Sequence, residues 1–345
     1  MSQGTIVSAL LCAVLSTSAI AQTTITVGVA SSISDAPIYI AQKKGFFRDE
    51  GLDVRAETFN SAANMVVPLG AGQLDVGGGA PSAGFYNAVA RGIRLKIVAD
   101  KGSSQPGYGV NRLLVRKAHV ESGRYKTPAD LRGMKIAQSG IGVSSMTTLN
   151  EIISPFGVKY AEVQMIELAF PQHVIALQNG AVDAALTTDP ASTLAVKSGA
   201  AVVVKADDEA IPRHQVAVLL YSEQFAESRP EAARKFMRAY LRAVRFYNDA
   251  LSESRFKGPT AAEVVAILSE ATPLKDTALY AEITPVGNDP NGRVNMQSLK
   301  QDLDFYREQQ LVTADVNLND VVDSSFVELA IKDLGPYKPG TTSQK

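Results

Sequence analysis

Three loops of the sequence combine glycine and serine with the start of a predicted helix, a pattern that can bind an anion without a metal. The loops lie at residues 31–35, 77–82 and 139–145. Free N–H groups at a helix N-terminus, together with the helix dipole, favour negative charge. We therefore expect these loops to bind an anionic group through backbone N–H groups and serine hydroxyls.

The predicted ligand contacts are the loop residues that stand nearest to the helix starts. They are Ser31, Ser32, Ile33, Gly79, Ala80, Ser82, Ser139, Gly140, Ile141, Ser144 and Ser145. The glycines at 77–79 let the backbone approach a ligand closely, although tight strand–helix packing would also explain one or two of them. The glycines and serines at 139–145 form an anion-binding nest, with an ordinary serine N-cap as the alternative.

Three more predicted contacts follow strands directly. Thr188 and Asp189 end a strand of the second half of the chain, and Ser103 follows a strand of the first half. Asp35 is interpreted as a helix cap rather than as a ligand contact, because its carboxylate can accept the free N–H groups of a helix start. Ligand contact and simple packing both stay open for Tyr108, Phe170 and Gln172.

Residues that catalyse reactions or hold metals are few and scattered in this sequence. The three histidines, His119, His173 and His214, show no metal-ligand spacing, and there is no G-x-S-x-G motif. We therefore predict no catalytic residue, no metal and no cofactor. His173, which opens a predicted helix, is the one candidate for a reactive group if the chain were an enzyme.

Short β-rich runs alternate with helical patterns, which indicates βαβ units, a mainly parallel sheet and an α/β fold. In the first set, strands are predicted at 25–29, 53–59, 74–78 and 95–99, with helices at 37–47, 63–70 and 81–91. In the second set, strands are predicted at 135–138, 163–168, 183–187, 201–205 and 215–221, with helices at 127–131, 143–155, 172–178 and 191–198. Further helices are predicted at 230–251, 260–270, 276–283, 296–309 and 321–334.

An internal repeat indicates that the two sets are related. Residues 69–76 and 177–184 share the pattern L-x-x-G-x-[LV]-D-[VA] in the same helix–strand context. We therefore predict two Rossmann-like lobes joined by a two-stranded hinge, with a ligand between the carboxyl ends of their sheets. The extra C-terminal helices are expected on lobe 1.

The predicted boundaries follow from this division. The chain is divided into a signal peptide at 1–21, lobe 1 at 22–106 and 222–335, lobe 2 at 107–221, hinge crossings at 105–112 and 214–223, and a flexible tail at 336–345.

The N-terminus has the features of an export signal. An apolar run at 6–15 precedes an A-x-A-like cleavage site at 19–21, which predicts a mature chain from Gln22. A core helix is the alternative, because no lysine or arginine precedes the run. The only cysteine, Cys12, lies in this run, so the predicted mature chain has no thiol for a disulfide or a nucleophile.

Composition excludes several classes of protein. The chain has 345 residues, of which 46% are hydrophobic and 20% charged, so it can bury more than one core and is not a disordered chain. Its formal net charge of −1 lacks the basic surplus that a nucleic-acid-binding protein needs, and no nucleic-acid partner is predicted.

Three segments carry a resemblance to a known family. The run APIYIAQKKGFFRDEGLDV at 36–54 is the most specific, and LGAGQLDVGGGAPSAGFYNAVARG at 69–92 and TPADLRGMKIAQSGIGVSS at 127–145 extend it. Over roughly residues 24–250 the chain resembles the ABC-transporter solute-binding proteins of the nitrate/sulfonate/taurine type, in a superfamily that includes thiamine-pyrimidine-precursor proteins. The resemblance implies a type II periplasmic-binding-protein fold.

The resemblance also implies a function. A member would be a periplasmic, monomeric binding component that closes on a small organic anion, either a sulfonate or a carboxylate, aromatic acids included. Its partners would be that ligand and an ABC permease and ATPase in the inner membrane. The apolar Ile33, Ile141 and Phe170 favour an organic acid over an inorganic ion. Two alternatives stay open, namely a same-fold enzyme of the pyrimidine or menaquinone type and an exported sensory module.

Overall fold

The computed structural model describes residues 22–340 of the chain. The predicted signal peptide at 1–21 and the last part of the predicted tail, 341–345, lie outside the described residues. The described chain is an α/β structure, as the sequence predicts, and it is built on two five-stranded sheets. Within residues 22–340 no helix is both long enough and apolar enough to cross a membrane.

The strands of the described residues form the two large sheets and one small hairpin. In chain order they are β1 (Thr23–Val29), β2 (Leu52–Thr58), β3 (Val76–Gly79), β4 (Leu95–Ser104), β5 (Arg112–Arg116), β6 (Lys135–Gln138), β7 (Gln164–Glu167), β8 (Ala184–Thr187), β9 (Ala201–Ala206), β10 (His214–Ser222), β11 (Leu251–Ser252) and β12 (Arg255–Phe256).

Helices connect the strands and make up most of the C-terminal third. In chain order they are α1 (Ala36–Lys43), α2 (Phe46–Asp49), α3 (Val66–Gly70), α4 (Ala83–Ala90), α5 (Lys117–Glu121), α6 (Ser144–Ile153), α7 (Phe170–Asn179), α8 (Ala191–Lys197), α9 (Asp207–Ala210), α10 (Glu223–Ser228), α11 (Pro230–Asn248), α12 (Ala261–Ala271), α13 (Met296–Glu308), α14 (Leu318–Val321) and α15 (Ser325–Leu334). The segments predicted as helices at 127–131 and 276–283 are 3₁₀ turns at Pro128–Leu131 and Thr277–Ala281.

The first sheet has the strand order β2-β1-β3-β10-β4. Strands β1, β2 and β3 are parallel, whereas β10 runs antiparallel to both β3 and β4. All nine residues of β10 are buried, because the sheet is covered on both faces. Leu219 and Tyr221 pack into one core and Val218 and Leu220 into the other, as the two-residue period of a strand requires.

The second sheet repeats this plan, with the strand order β7-β6-β8-β5-β9. Here β5 takes the place of β10, since it runs antiparallel to both β8 and β9. We use the name first lobe for described residues 22–104 and 214–340, and second lobe for residues 112–210. Each sheet therefore receives its antiparallel strand directly after the chain crosses from the other lobe.

The internal repeat has a structural counterpart in two equivalent aspartates. The Asp75 carboxylate accepts the N–H of Thr26 at 3.0 Å, and the Asp183 carboxylate accepts the N–H of Lys135 at 3.0 Å. Each aspartate N–H is also donated to the carbonyl of the same partner residue. The repeated Asp thus fixes the last parallel strand of each lobe against the first, which explains why both copies carry it.

One strand lies in a different sheet from the one predicted. Residues 215–221 were assigned to lobe 2, but β10 belongs to the first sheet. In the structure the second crossing therefore precedes this strand at 211–213, and the first crossing lies at 105–111 between β4 and β5. An apolar strand has the same pattern in either sheet, and only its long-range pairing with β3 and β4 decides between them.

The C-terminal helices pack on the first lobe, as predicted. Helix α11 buries Phe236, Tyr240, Val244 and Tyr247 against the first sheet and its helices. Phe236 stacks on Phe47 of α2 with ring centroids 4.9 Å apart. Helix α13 covers the opposite face of the same sheet and also touches α6 of the second lobe.

Candidate ligand-binding site

A small cavity of about 40 Å³ lies between the two sheets. Its walls come from loops of both lobes, from the first crossing and from β10. The lining residues are Ala30, Ser32, Ser34, Ser61, Ala62, Gly79, Ala80, Val110, Asn111, Ser139, Val143, Ser144, Ser145, Phe170, Thr188, Val216 and Ala217. A cavity of about 150 Å³ is needed to hold benzene, so this space suits a guest of a few heavy atoms and not an aromatic acid.

The second lobe contributes hydroxyl groups around the start of α6. Helix α6 begins after Val143 without a side-chain cap, so its first N–H groups have no partner within the helix. The hydroxyl of Ser144 donates to the carbonyl of Val216 at 3.0 Å. In contrast, the hydroxyls of Ser145 and Thr188 are buried without a hydrogen-bond partner. This wall therefore offers free donors together with the positive end of a helix dipole.

The first crossing contributes Asn111, which was not among the predicted contacts. The carboxylate of Asp207 accepts the backbone N–H groups of Val110 and Asn111 at 2.9 and 3.0 Å and so fixes this segment. The side-chain NH₂ of Asn111 is buried and has no partner. Burial raises the pKa of Asp207 to about 6, although the nearby charge of His214 opposes this rise.

The first lobe contributes Ser32 and Ser34, which are backed by a buried ion pair. The ammonium of Lys101 lies 2.7 Å from the Asp35 carboxylate and 3.0 Å from the hydroxyl oxygen of Ser34, and the side chains of Lys101 and Asp35 are fully buried. Asp35 also accepts the backbone N–H groups of Ala30 and Ser32 at 3.2 and 2.9 Å. Asp35 is thus a cap, as predicted.

Only one of the three glycines at 77–79 lines the cavity. A Cβ at Gly77 would lie 2.8 Å from the Leu69 side chain, and a Cβ at Gly78 would lie 2.5 Å from the Lys101 side chain. These two glycines therefore serve internal packing. Gly79 borders the cavity with a φ of +154°, which L side chains rarely adopt.

The two lobes touch each other on both sides of the cavity. The N–H of Ile33 donates to the carbonyl of Asp189 at 2.8 Å, and the N–H of Ala83 donates to the carbonyl of Gly142 at 2.7 Å. Lys197 of the second lobe also pairs with Glu282 of the first. The structure is therefore a closed form, and two helix-start N–H groups of the first lobe bond to the second lobe.

The predicted contacts divide into two groups. Those that line the cavity are Ser32, Gly79, Ala80, Ser139, Ser144, Ser145 and Thr188. Those that do not line it are Ser31, Ile33, Ser82, Ser103, Gly140, Ile141 and Asp189.

The predicted contacts that do not line the cavity are hydrogen-bonded, buried or exposed elsewhere. Ser82 caps α4 by accepting the N–H of Phe85 at 3.1 Å. Ile33 is buried in the first-lobe core, whereas the side chain of Ile141 is 60% exposed at the loop tip. The carboxylate of Asp189 accepts from Thr193 at 2.8 Å and lies 3.3 Å from Arg112.

Ser103 and Tyr108, which lie near the first crossing, do not line the cavity either. The N–H of Ser103 bonds to the carbonyl of Gly287 at 2.8 Å, on the outer side of that crossing. The hydroxyl of Tyr108 accepts the N–H of Ser254 at 3.2 Å, so Tyr108 packs against the β11–β12 hairpin and not against the cavity. Phe170 does line the cavity, whereas Gln172 does not.

The sequence analysis missed several lining residues besides Asn111. They are Ala30, Ser34, Ser61, Ala62, Val110, Val143, Val216 and Ala217. Ser34 and Val143 belong to loops that were singled out, so a wider selection within those loops would have found them. Val216 and Ala217 were missed because β10 was placed in the other lobe.

His173 does not border the cavity, although its neighbour Phe170 does. One ring nitrogen of His173 lies 2.9 Å from the carbonyl of Leu168, and the other is buried without a partner. Burial lowers the pKa of His173 to about 4, despite its hydrogen bond to the Leu168 carbonyl. His173 is therefore a neutral, buried side chain that packs beside the site.

The fold and the site together define the class of this protein. Two α/β lobes, each with a five-stranded mixed sheet, meet around a solute-sized cavity, which is the architecture of the periplasmic binding proteins. The sequence matches the family model described as NMT1/THI5 like over residues 33–250, and the chain belongs to this family. The family resemblance of the sequence is thus confirmed.

Similar proteins include two that are named as binding proteins. The chain is 26% identical to a putative aliphatic sulfonates-binding protein of Bacillus subtilis (strain 168), over 90% of this chain and 88% of that protein. It is also 26% identical to the taurine-binding periplasmic protein of Escherichia coli (strain K12), over 88% of this chain and 93% of that protein.

A solved structure and an enzyme are also similar. The periplasmic nitrate-binding protein NrtA from Synechocystis PCC 6803 has a TM-score of 0.74 at 15% identity, over 94% of this chain and 92% of that chain, which shows a shared fold. A 4-amino-5-hydroxymethyl-2-methylpyrimidine phosphate synthase of Aspergillus parasiticus is 27% identical over 60% of this chain and 61% of the enzyme.

Proposed function

We propose that this protein is the periplasmic substrate-binding component of an ABC importer and that it captures a small oxyanion between its two lobes. The observation that carries the proposal is a set of three buried donor groups without partners, on Asn111, Ser145 and Thr188, around one cavity. Buried polar groups are nearly always hydrogen-bonded, so three free ones in one place call for a guest that accepts hydrogen bonds.

Closure of the lobes explains how such a guest is held. Ser32 and Ser34 come from the first lobe, Ser145 and Thr188 from the second, and Asn111 from a crossing. A guest that bonds to all of them stabilises the closed form through contacts that the open form lacks. A transporter that recognises the closed form would then receive loaded protein.

The similar proteins support an oxyanion as the guest. The two binding proteins are named for aliphatic sulfonates and for taurine, and the structural relative is named for nitrate. All these ligands present several acceptor oxygens on one centre. The small cavity agrees with this class and argues against the aromatic acids that the sequence left open.

Delivery to a transporter follows from the relatives and from the N-terminus. The taurine-binding relative is named as periplasmic, and residues 1–21 of this chain have the pattern of a cleavable export signal. The partners would be a permease and an ATPase of the inner membrane, and the protein would act as a monomer. A sensory role would use the same site, and uptake of the ligand by cells with and without the gene separates the two roles.

A binding experiment tests the proposal directly. The mature chain from Gln22 is mixed with nitrate, methanesulfonate, longer alkanesulfonates and short carboxylates, and its thermal unfolding midpoint is recorded. A ligand that binds only the native state raises this midpoint as its concentration increases. The proposal fails if no oxyanion shifts the midpoint, or if the Ser145→Ala variant responds as the wild type does.

An enzyme on the same fold is the second candidate, and the similarity to the pyrimidine phosphate synthase is what favours it. Such an enzyme would need a reactive group at the cavity. Within the described residues the lining consists of Ser, Thr, Asn and apolar residues, with no ionisable side chain. Turnover of a pyrimidine precursor by the purified mature chain would support the enzyme, and binding without turnover would count against it.

A further inference from the structure

The charged groups nearest to the cavity are all directed away from a guest. The Asp35 carboxylate is occupied by Lys101 and by the N–H groups of Ala30 and Ser32. The Asp189 carboxylate is occupied by Arg112 and by Thr193. Neither carboxylate borders the cavity. A guest therefore meets hydroxyl, amide and apolar groups, but no free anionic acceptor.

Lys101 determines how the Ser34 hydroxyl can bond. An ammonium group only donates hydrogen bonds, so the Ser34 oxygen, 3.0 Å away, must accept from it. The hydrogen of the Ser34 hydroxyl is then left for Ser32, whose oxygen is 3.3 Å away, or for a guest in the cavity. The buried ammonium thus occupies one of the two acceptor lone pairs of the Ser34 oxygen and favours Ser34 as a donor.

The remaining free groups favour the same kind of guest. The NH₂ of Asn111 can only donate, and the hydroxyls of Ser145 and Thr188 have no protein acceptor that would use their hydrogens. Asn111, Ser145 and Thr188 are only 3%, 5% and 2% exposed, so water cannot readily replace a missing partner. Oxygen atoms of an anion accept hydrogen bonds from such donors. An ammonium group only donates, so it would leave their hydrogens without an acceptor.

The rest of the wall is apolar. Val110, Val143, Phe170 and Val216 line the cavity beside these donors. An uncharged methyl or ethyl tail can be buried against them, but a charged amino group placed there would lose its hydration without gaining an acceptor from these side chains.

We propose that this pocket takes a small oxyanion with a short uncharged tail and rejects the ammonium-bearing analogue, and that Lys101 is the positioning residue that sets this preference by holding Ser34 as a donor. The inference rests on the proposed function, because it assumes that the cavity is the binding site. Among the ligands for which the similar proteins are named, taurine carries an ammonium group, and we expect this pocket to reject it.

Isosteric pairs of ligands test the preference. Propanoate and glycine differ by a methyl in place of an ammonium group, and ethanesulfonate and aminomethanesulfonate differ in the same way. Titration calorimetry on the mature chain is expected to show the uncharged member binding about tenfold or more tightly in at least one pair, because an unpaired ammonium is costly to bury. Equal affinity, or tighter binding of the ammonium-bearing member of a pair, overturns the inference.

Two other outcomes separate this inference from the proposed function. If nitrate or methanesulfonate binds but neither member of either pair does, the pocket accepts no such tail and the inference is wrong while the proposed function stands. If no oxyanion of any kind binds, the proposed function itself has failed.

The role of Lys101 is tested in a double variant. Lys101→Met alone would leave the Asp35 carboxylate buried without its cation, so Asp35→Asn is made together with it. In the folded double variant, the ratio of the two dissociation constants within a pair is expected to move towards one, since both lone pairs of the Ser34 oxygen are then free to accept. An unchanged ratio in a folded protein overturns the role of Lys101.

Ser34→Ala supplies a second readout that does not depend on the double variant. In the wild-type background it is expected to weaken binding of the uncharged ligand by about tenfold, and in the Lys101→Met/Asp35→Asn background to have little further effect. If Ser34→Ala leaves the affinity of the wild type unchanged, Ser34 is not a donor to the ligand. The proposed role of Lys101, which acts through Ser34, is then wrong.

Discussion

The backbone N–H of Ala83 donates a 2.7 Å hydrogen bond to the carbonyl oxygen of Gly142, and the two residues belong to different lobes. Ala83 begins α4, and Gly142 stands in the loop before α6 with a φ of +67°. A Cβ at position 142 would lie 2.6 Å from the Cβ of Ala83, which is closer than such atoms approach in proteins. Gly142 is therefore required for the lobes to meet as they do here.

Gly142→Ala is expected to hinder closure and to weaken ligand binding by about tenfold or more, since the closed form loses this contact. Calorimetry gives the affinity, and small-angle scattering with saturating ligand shows whether the particle still contracts. The substitution also carries the ordinary cost of a left-handed alanine, about 1 kcal/mol of stability.

Gly157→Ala is the matched control for this backbone cost. Gly157 lies in the same lobe with a φ of +71°, and a Cβ there would meet nothing within 4 Å. We expect a similar loss of stability but unchanged ligand affinity. If both variants bind as tightly as the wild type, the Ala83–Gly142 contact is not part of closure.

Ser145→Ala separates binding from stability. Because the Ser145 hydroxyl has no partner in the protein, its removal is expected to leave the unfolding free energy of the ligand-free protein unchanged or slightly higher. Binding of an oxyanion is expected to weaken by roughly 1.5–3 kcal/mol, which is about 10- to 100-fold in the dissociation constant.

Ser144→Ala is the contrasting variant, because the Ser144 hydroxyl already donates to the Val216 carbonyl. It is expected to lower the unfolding free energy of the ligand-free protein by about 1 kcal/mol. Urea unfolding without ligand compares the two serines. A loss of stability in Ser145→Ala equal to that in Ser144→Ala would contradict the view that Ser145 is reserved for a ligand.

Part of the cavity lining was predictable, because local patterns decide it. The serines of 139–145 were selected because a glycine-rich loop enters a helix, and Ser139, Ser144 and Ser145 do line the cavity. Asn111 has no such pattern. It reaches the site because Asp207, almost a hundred residues away, fixes its backbone, and sequence spacing does not reveal contacts of that range.

The fold shows the same division between local and long-range information. Strand and helix periods predicted most elements, and the repeated Asp75 and Asp183 correctly indicated two related lobes. Sheet membership of β10 was wrong, since its apolar residues satisfy either sheet equally well. Likewise, the sequence left open whether the glycines at 77 and 78 serve a ligand or tight packing, because the buried course of the Lys101 side chain is not visible in it.

His173 gives a prediction on pH dependence. Its pKa in the folded protein is about 4, below the ordinary 6.5, because burial disfavours the charged imidazole. The unfolded chain takes up this proton near pH 6.5 and the folded protein only near pH 4, so stability is lost as the pH falls through this window. The loss amounts to about 3 kcal/mol, at roughly 1.4 kcal/mol per pKa unit.

His173→Gln is expected to remove this part of the acid sensitivity, because glutamine does not titrate and its amide can still donate to the Leu168 carbonyl. Urea unfolding of both proteins at several values between pH 7 and pH 4 measures the difference. Other buried acids titrate in both proteins and cancel in the comparison. Parallel pH profiles for the two proteins would show that His173 is charged or solvated in the folded state.

Gly78→Ala tests whether Lys101 must pass beside the β3 backbone. The added Cβ would lie 2.5 Å from Cε of Lys101, so the buried ammonium is displaced from Asp35 and from Ser34. We expect a loss of about 1–3 kcal/mol in unfolding free energy, as for overpacking of a core. We also expect weaker oxyanion binding, because Ser34 is no longer held as a donor.

Gly84→Ala provides the control, since Gly84 is an exposed residue of α4 in the same lobe. A Cβ there would have its nearest neighbour at 3.6 Å, an ordinary contact with the Ser82 hydroxyl. Alanine in a helix is more stable than glycine by about 0.5–1 kcal/mol, so this variant is expected to be at least as stable as the wild type and to bind equally well. If Gly78→Ala also retains full affinity, the position of the Lys101 ammonium does not matter for the ligand, and only its contribution to stability remains.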